Sequence, residues 1–228
     1  MIRYLFALGL SALAADFRAS VVKADITPNG PQWLLGYAAR KSTGVNDRIY
    51  HRVVAMDDGA TSFVLVSSDL CLVSPAEYDR VAKMLAAETG ITANQFWWTF
   101  THTHSAPEVG PPGLAASFLG DRYTHEVDPS YTEMVAKSLI GAVKEARAKL
   151  APARLRIGWG HANANINRRA RDVEGETFLG FNPDGPVDRR IGLIALDDAS
   201  GKAIGLIANY AMHGTVLGQP NLLISGDA

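Results

Sequence analysis

Thr101-His102-Thr103-His104-Ser105 carries two imidazoles one residue apart, directly after the apolar run Phe96-Trp97-Trp98-Thr99-Phe100. Alternate side chains of a strand share a face, so His102 and His104 are expected side by side, with backbones roughly 6 to 7 Å apart. Two neutral imidazoles on one face suit a transition metal, or one metal ligand beside a proton-transfer or oxyanion-stabilising group. The plainer alternative is a pair of histidines at a solvated strand end, and H-x-H alone is a modest signal. The chain has only six histidines, and this pair opens directly into a Gly/Pro-rich loop, which favours the chemical reading.

Other residues could serve the same chemistry. His213 follows the apolar strand candidate Ile204 to Ala211 and precedes Gly214, so it is a natural second metal ligand, or else a core histidine bonded to backbone. Asn163 to Asp172 is dense in amides and guanidiniums, Arg168 among them. An arginine fork can hold a carboxylate or a developing oxyanion, although a solvated loop accounts for the same run. Asp69 interrupts an apolar run, where a carboxylate must be paired or hydrogen-bonded. It would orient a ligating histidine or cap a strand end. Asp25, Asp227, His51 and His125 carry weaker signals. Cys71 is the sole cysteine, which excludes an intrachain disulfide, and its apolar neighbours mark it as a small core residue rather than a nucleophile.

These residues need elements to position them. Ser74-Pro75-Ala76-Glu77 is a capping box with proline at the first helical position, and Tyr78, Val81, Ala82 and Leu85 then recur at helical spacing up to Gly90. Asp128-Pro129 opens a second helix, with Tyr131, Met134, Val135, Leu139, Ala142, Val143 and Ala146 as its apolar stripe and Ala151-Pro152 as its end. Strands are expected over 17–26, 50–56, 63–72, 96–101, 153–159, 190–197 and 204–211. The order predicts an α/β fold, a layered domain of mixed β-sheet with flanking helices and a metal pocket at the strand ends. The segments 27–49 and 105–127 lack periodicity. Within the second, Leu114 to Leu119 is expected to form a short core helix in preference to lining an apolar pocket.

Bulk properties narrow the function. The formal net charge is −1, so a nucleic-acid partner has no electrostatic support. Met1 to Ala14 combines a basic start, an apolar stretch too short to span a bilayer and an A-x-A site, the pattern of a secretory signal peptide. The mature chain is therefore expected to be secreted or periplasmic and to begin near residue 15. At the other end, Asn221 to Ala228 is an apolar run entering a turn, as expected of a chain cut inside a domain.

Taken in order, Leu35-Gly36-Tyr37-Ala38, Ser68-Asp69-Leu70, Thr101 to Pro107, Ile166-Asn167-Arg168, Asn209 to Thr215 and Ile224 to Asp227 resemble the N-terminal catalytic domain of the neutral/alkaline non-lysosomal ceramidase family. The order and spacing match from about residue 20 to the end. The resemblance implies a secreted zinc amidase that splits ceramide into a sphingoid base and a fatty acid. It implies Zn2+ ligation by His102 and His213, and contact of His104 and Arg168 with the substrate or oxyanion. Asp69 and Asp227 would support them. The family's remaining zinc ligands, a glutamate and a tyrosine, and its catalytic serine cannot be placed within these residues, so this chain alone is expected to bind metal weakly and to be inactive.

Two departures concern the substrate. His213-Gly214 stands where the family usually has His-Pro, and Asn182 to Asp188 resembles a bacterial branch whose substrates need not be ceramides. The expected partner is a ceramide-like lipid amide, with peripheral membrane contact through 105–127. The alternatives are a secreted metallohydrolase for another amide or ester, and a non-catalytic exported metal- or lipid-binding protein.

Overall fold

The computed structural model describes residues 17–111 and 114–227; the expected signal peptide lies outside them. The elements run β1 (Arg18–Asp25), β2 (Trp33–Leu34), β3 (Arg40–Lys41), β4 (Gly44–Val45), β5 (Tyr50–Asp57), β6 (Ser62–Ser68), α1 (Pro75–Thr89), β7 (Phe96–Phe100), α2 (Leu114–Leu119), α3 (Pro129–Ala148), β8 (Ala151–His161), β9 (Asn167–Arg171), β10 (Thr177–Asn182), β11 (Arg190–Asp198), β12 (Ala203–Tyr210) and β13 (Leu223–Ile224). This is the expected mixed α/β architecture. The chain divides into two compact units, one of residues 17–152 with 214–227 and one of residues 153–213.

In the first unit β1 pairs antiparallel with β5, β5 antiparallel with β6, and β6 parallel with β7. Ala151 and Pro152, the start of β8, pair with Ala19 and Arg18 on the far side of β1. Alternation sets the buried face: Val53 is opposite Val66, and Val66 opposite Trp98. All three are core residues, with α3 packed against β1 and β5.

Both main helices form where their caps predict. The Ser74 hydroxyl accepts from the Glu77 amide and Gly90 ends α1 at φ +72°, a left-handed conformation that glycine adopts without a Cβ penalty. The capping box is only half made, because the Glu77 carboxylate instead takes a two-pronged bond from Arg80, 2.8 Å on each side. Asp128 caps α3 by accepting from the Ser130 and Tyr131 amides, and the expected stripe from Tyr131 to Ala146 is buried, Met134 only partly.

Two expectations change. β6 ends at Ser68, not at 72, because the chain turns at Asp69, and Leu70 donates back to the Ser68 carbonyl. Leu114–Leu119 is helical, but Phe118 is 70% exposed, so α2 is not a core helix. In the second unit β11 lies between β8 and β12, antiparallel to both, and β9 and β10 form a hairpin across the amide- and arginine-rich segment. The sequence has no strong alternation there, which is why that hairpin was not expected.

Candidate metal centre

The histidine pair forms, though not by strand alternation. β7 stops at Phe100, and His102 takes a left-handed backbone conformation at φ +63°. A non-glycine residue in this region costs of order 1–3 kcal/mol and persists only where its surroundings impose it. Here Thr101 donates to the Ser68 carbonyl and His102 to the Leu70 carbonyl, so the segment follows the edge of the turn after β6 instead of extending the strand. The two rings lie 5.1 Å apart between centroids and nearly perpendicular, at 87°.

His102 is oriented by main chain. Its Nδ1 lies 2.6 Å from the Cys71 carbonyl oxygen. A carbonyl can only accept, so Nδ1 carries the proton and the neutral ring keeps its lone pair on Nε2. A backbone acceptor on the far nitrogen is how metal-ligating histidines are commonly held in tautomer and orientation. The Cys71 sulfur is 3.6 Å from the same Nδ1, and one donor atom from each of Cys71, His102 and His104 falls within 4.8 Å of the others. Among the described residues this cluster can hold a metal ion. Cys71 is buried beside Leu35, Leu72 and Tyr123, as a core residue should be. Burial pushes its thiol up to about 12, so only displacement of the proton by a metal would make it a ligand.

His104 is 8% exposed and is enclosed by a loop without sequence periodicity. A Cβ on Gly36, at φ +116°, would lie 2.5 Å from Nδ1 and 2.7 Å from Cβ of His104, so only glycine fits there. The Tyr37 ring meets the imidazole edge-on, centroids 4.7 Å apart. Arg40 donates 2.6 Å to the His104 carbonyl oxygen. The intervening residues point into the protein: Thr103 donates to the Ser225 carbonyl, and the Ser225 amide donates to the Ser105 carbonyl.

Asp227, at φ +47°, accepts from the Leu217 amide at 2.8 Å and lies 3.5 Å from the Ser105 hydroxyl. Asp69 accepts from Arg52 at 2.6 Å and from the Tyr50 amide at 2.9 Å, an arrangement that pins the start of β5. Arg168, in the second unit, donates from Nε to the Gly180 carbonyl across the β9–β10 hairpin, and His213 is exposed beyond the end of β12. The structure thus brings His102, His104 and Asp227 together in one unit, while Arg168 and His213 belong to the other.

The weaker candidates have structural occupations. Asp25 accepts from the Thr27 amide at 2.8 Å and pairs with Arg48. His51 is fully buried, with Nδ1 2.6 Å from the Ser68 hydroxyl and Nε2 3.1 Å from the Val135 carbonyl. His125 stacks on Trp33 at 4.5 Å and bonds through Nε2 to buried Glu108 at 2.9 Å. Gly36, Tyr37 and Arg40 were missed as parts of the site. The sequence signal for Gly36 and Tyr37 was the Leu35-Gly36-Tyr37-Ala38 motif, and Arg40 had none.

The neutral/alkaline non-lysosomal ceramidase N-terminal family model matches residues 17–228. The neutral ceramidase of Pseudomonas aeruginosa is 28% identical over 234 residues, covering 98% of this chain and 34% of its own length. That of Mycobacterium tuberculosis is 29% identical over 216 residues, covering 90% of this chain and 33% of its own. The crystal structure of the Pseudomonas aeruginosa enzyme superimposes with a TM-score of 0.72 at 24% identity, over 92% of this chain and 34% of that one. A ceramidase complexed with C2 gives 0.74 at the same identity. The chain spans about a third of the length of the relatives it matches.

Proposed function

Since this chain belongs to the neutral/alkaline non-lysosomal ceramidase family, we propose that it contributes the histidine half of a zinc-dependent amide hydrolase that cleaves ceramide-like lipids. The observation that carries the proposal is the fixed tautomer of His102, held by the Cys71 carbonyl with its lone pair on Nε2 beside the His104 ring. His102 suits zinc as a donor: its neutral imidazole is steered by a backbone carbonyl that leaves Nε2 to coordinate. His102 and His213 would hold the ion, which when bound supplies a Lewis acid that polarises an amide carbonyl.

The side chains then have separate tasks. His104, fixed in its enclosure, donates to the reacting carbonyl oxygen, and Arg168 offers a planar fork to the same oxygen as charge develops there. Asp227 supports His104 by bracing the adjoining Ser105 segment, whereas Asp69, bonded to Arg52 and the Tyr50 amide, braces the start of β5. Secretion and a peripheral membrane contact through the exposed α2 segment complete the proposal, because the substrate would reside in a bilayer.

Metal content tests this directly. Residues 15–228 alone are expected to bind zinc more weakly than micromolar, since two protein ligands hold it poorly. The full product of the gene is expected to hold about one zinc per chain and to lose it in His102→Ala. Zinc retained by His102→Ala would sink the assignment. Turnover of a short-chain ceramide against simple N-acyl amino acids then separates the ceramidase reading from hydrolysis of another amide.

A further inference from the structure

Arg40 is the least expected group around His104. It is 8% exposed, and its hydrogen bonds go to main-chain oxygens: His104 at 2.6 Å through one nitrogen, and Asn221 at 2.6 Å and Gln219 at 3.3 Å through another. Its guanidinium lies 4.7 Å from the centre of the Tyr37 ring, and its Nε is buried without a hydrogen-bond partner. Taking a guanidinium out of water costs several kcal/mol, and an apolar side chain of similar volume would fill the space without that cost. What the guanidinium alone supplies is direction. Its rigid fork aims donors at two chain segments at once, and hydrogen bonds from a charged donor are the stronger ones.

We infer that Arg40 is a positioning residue for His104, clamping the main chain that carries this imidazole to the 219–221 turn and so fixing where the ring meets the substrate. The inference rests on the reading above that His104 serves the reacting carbonyl. The opposite tether is slacker, because the His104 amide reaches the Gly214 carbonyl at 3.3 Å. Ring placement is shared with the same loop, since Gly36 lies under the imidazole and Tyr37 at its edge. Loss of the fork frees the carbonyl end of His104 while leaving the Nδ1 bond of His102 to the Cys71 carbonyl intact.

The test uses the full-length protein carrying Arg40→Met, which keeps the apolar stem, and Arg40→Lys, which keeps the charge. A ring displaced by about 1 Å is expected to lower kcat by roughly 10- to 100-fold. KM should stay within about twofold and zinc per chain should be unchanged, because substrate binding and metal ligation do not run through the clamp. Arg40→Lys should recover part of the loss. Arg40→Met added to His104→Ala should be no slower than His104→Ala alone, because the first acts only through the second.

The imidazole NMR signals of His104, assigned by their loss in His104→Ala, should shift in Arg40→Met while those of His102 stay in place. Losses that multiply in the double variant, or His104 signals that do not move, overturn the inference. If His104→Ala keeps full turnover, the role of His104 at the carbonyl falls, and the NMR shift still decides whether Arg40 positions the ring. Should Arg40→Met not fold, Arg40→Lys carries the same two measurements, with a smaller kcat loss and a smaller shift expected.

Discussion

At the scale of single residues, the site depends on backbone conformations that few side chains tolerate. His102 sits at φ +63° and Gly36 at φ +116°, and between them they bring one ring against another and leave room for it. Gly36→Ala would force a methyl to 2.7 Å from the His104 Cβ and strain the loop as well. We expect this variant to lose on the order of 2 kcal/mol of stability, and to lose turnover beyond what its folded fraction explains. Denaturant unfolding read beside kcat checks it. Unchanged values in both would mean that His104 is not held by the 36–40 loop.

At the scale of elements, the strands and α3 are tied by a buried histidine that performs no chemistry. His51 on β5 bridges the Ser68 hydroxyl of β6 and the Val135 carbonyl of α3, and burial lowers its pKa from 6.5 to about 4. Between those values the unfolded chain binds a proton that the folded chain refuses, so stability falls as pH drops from about 6.5 to 4, by roughly 3 kcal/mol at most. Urea unfolding across that window should show the slope, and His51→Gln, which has no titrating ring, should flatten it. An equal slope in both proteins would assign the acid sensitivity to other groups.

At the scale of the whole molecule, the apolar surface matters more than the charge. Formal net charge is −1, and no described helix is long and apolar enough to cross a membrane. Yet Phe118 on α2 is 70% exposed, and in the second unit Trp159 and Phe181 are 69% and 71% exposed. Single exposed aromatics are ordinary, so the test falls on Phe118, in the segment proposed above to meet the membrane. Phe118→Asp in the full-length protein is expected to lower turnover of bilayer-embedded ceramide at least threefold more than turnover of a soluble short-chain analogue. Equal losses on both substrates would discard the membrane contact.

Much of this was legible in the residues themselves. The two main helices follow from local signals, namely the Ser74 and Asp128 caps, proline at the first turn and an apolar period that repeats within a few residues. That His102 and His104 lie together was expected from their spacing, but the strand alternation behind that expectation is not what brings them together; the family was readable from motifs in series. Four features required the folded chain: the left-handed turn at His102, the Cys71 carbonyl that sets its tautomer, the Gly36–Arg40 enclosure of His104, and the exposed face of α2. The physical reason is range. Periodicity and capping act between neighbours in sequence, whereas the site is made by contacts among residues 36, 40, 71, 102, 104 and 221, which only the packing of loops against the β6–β7 edge brings together.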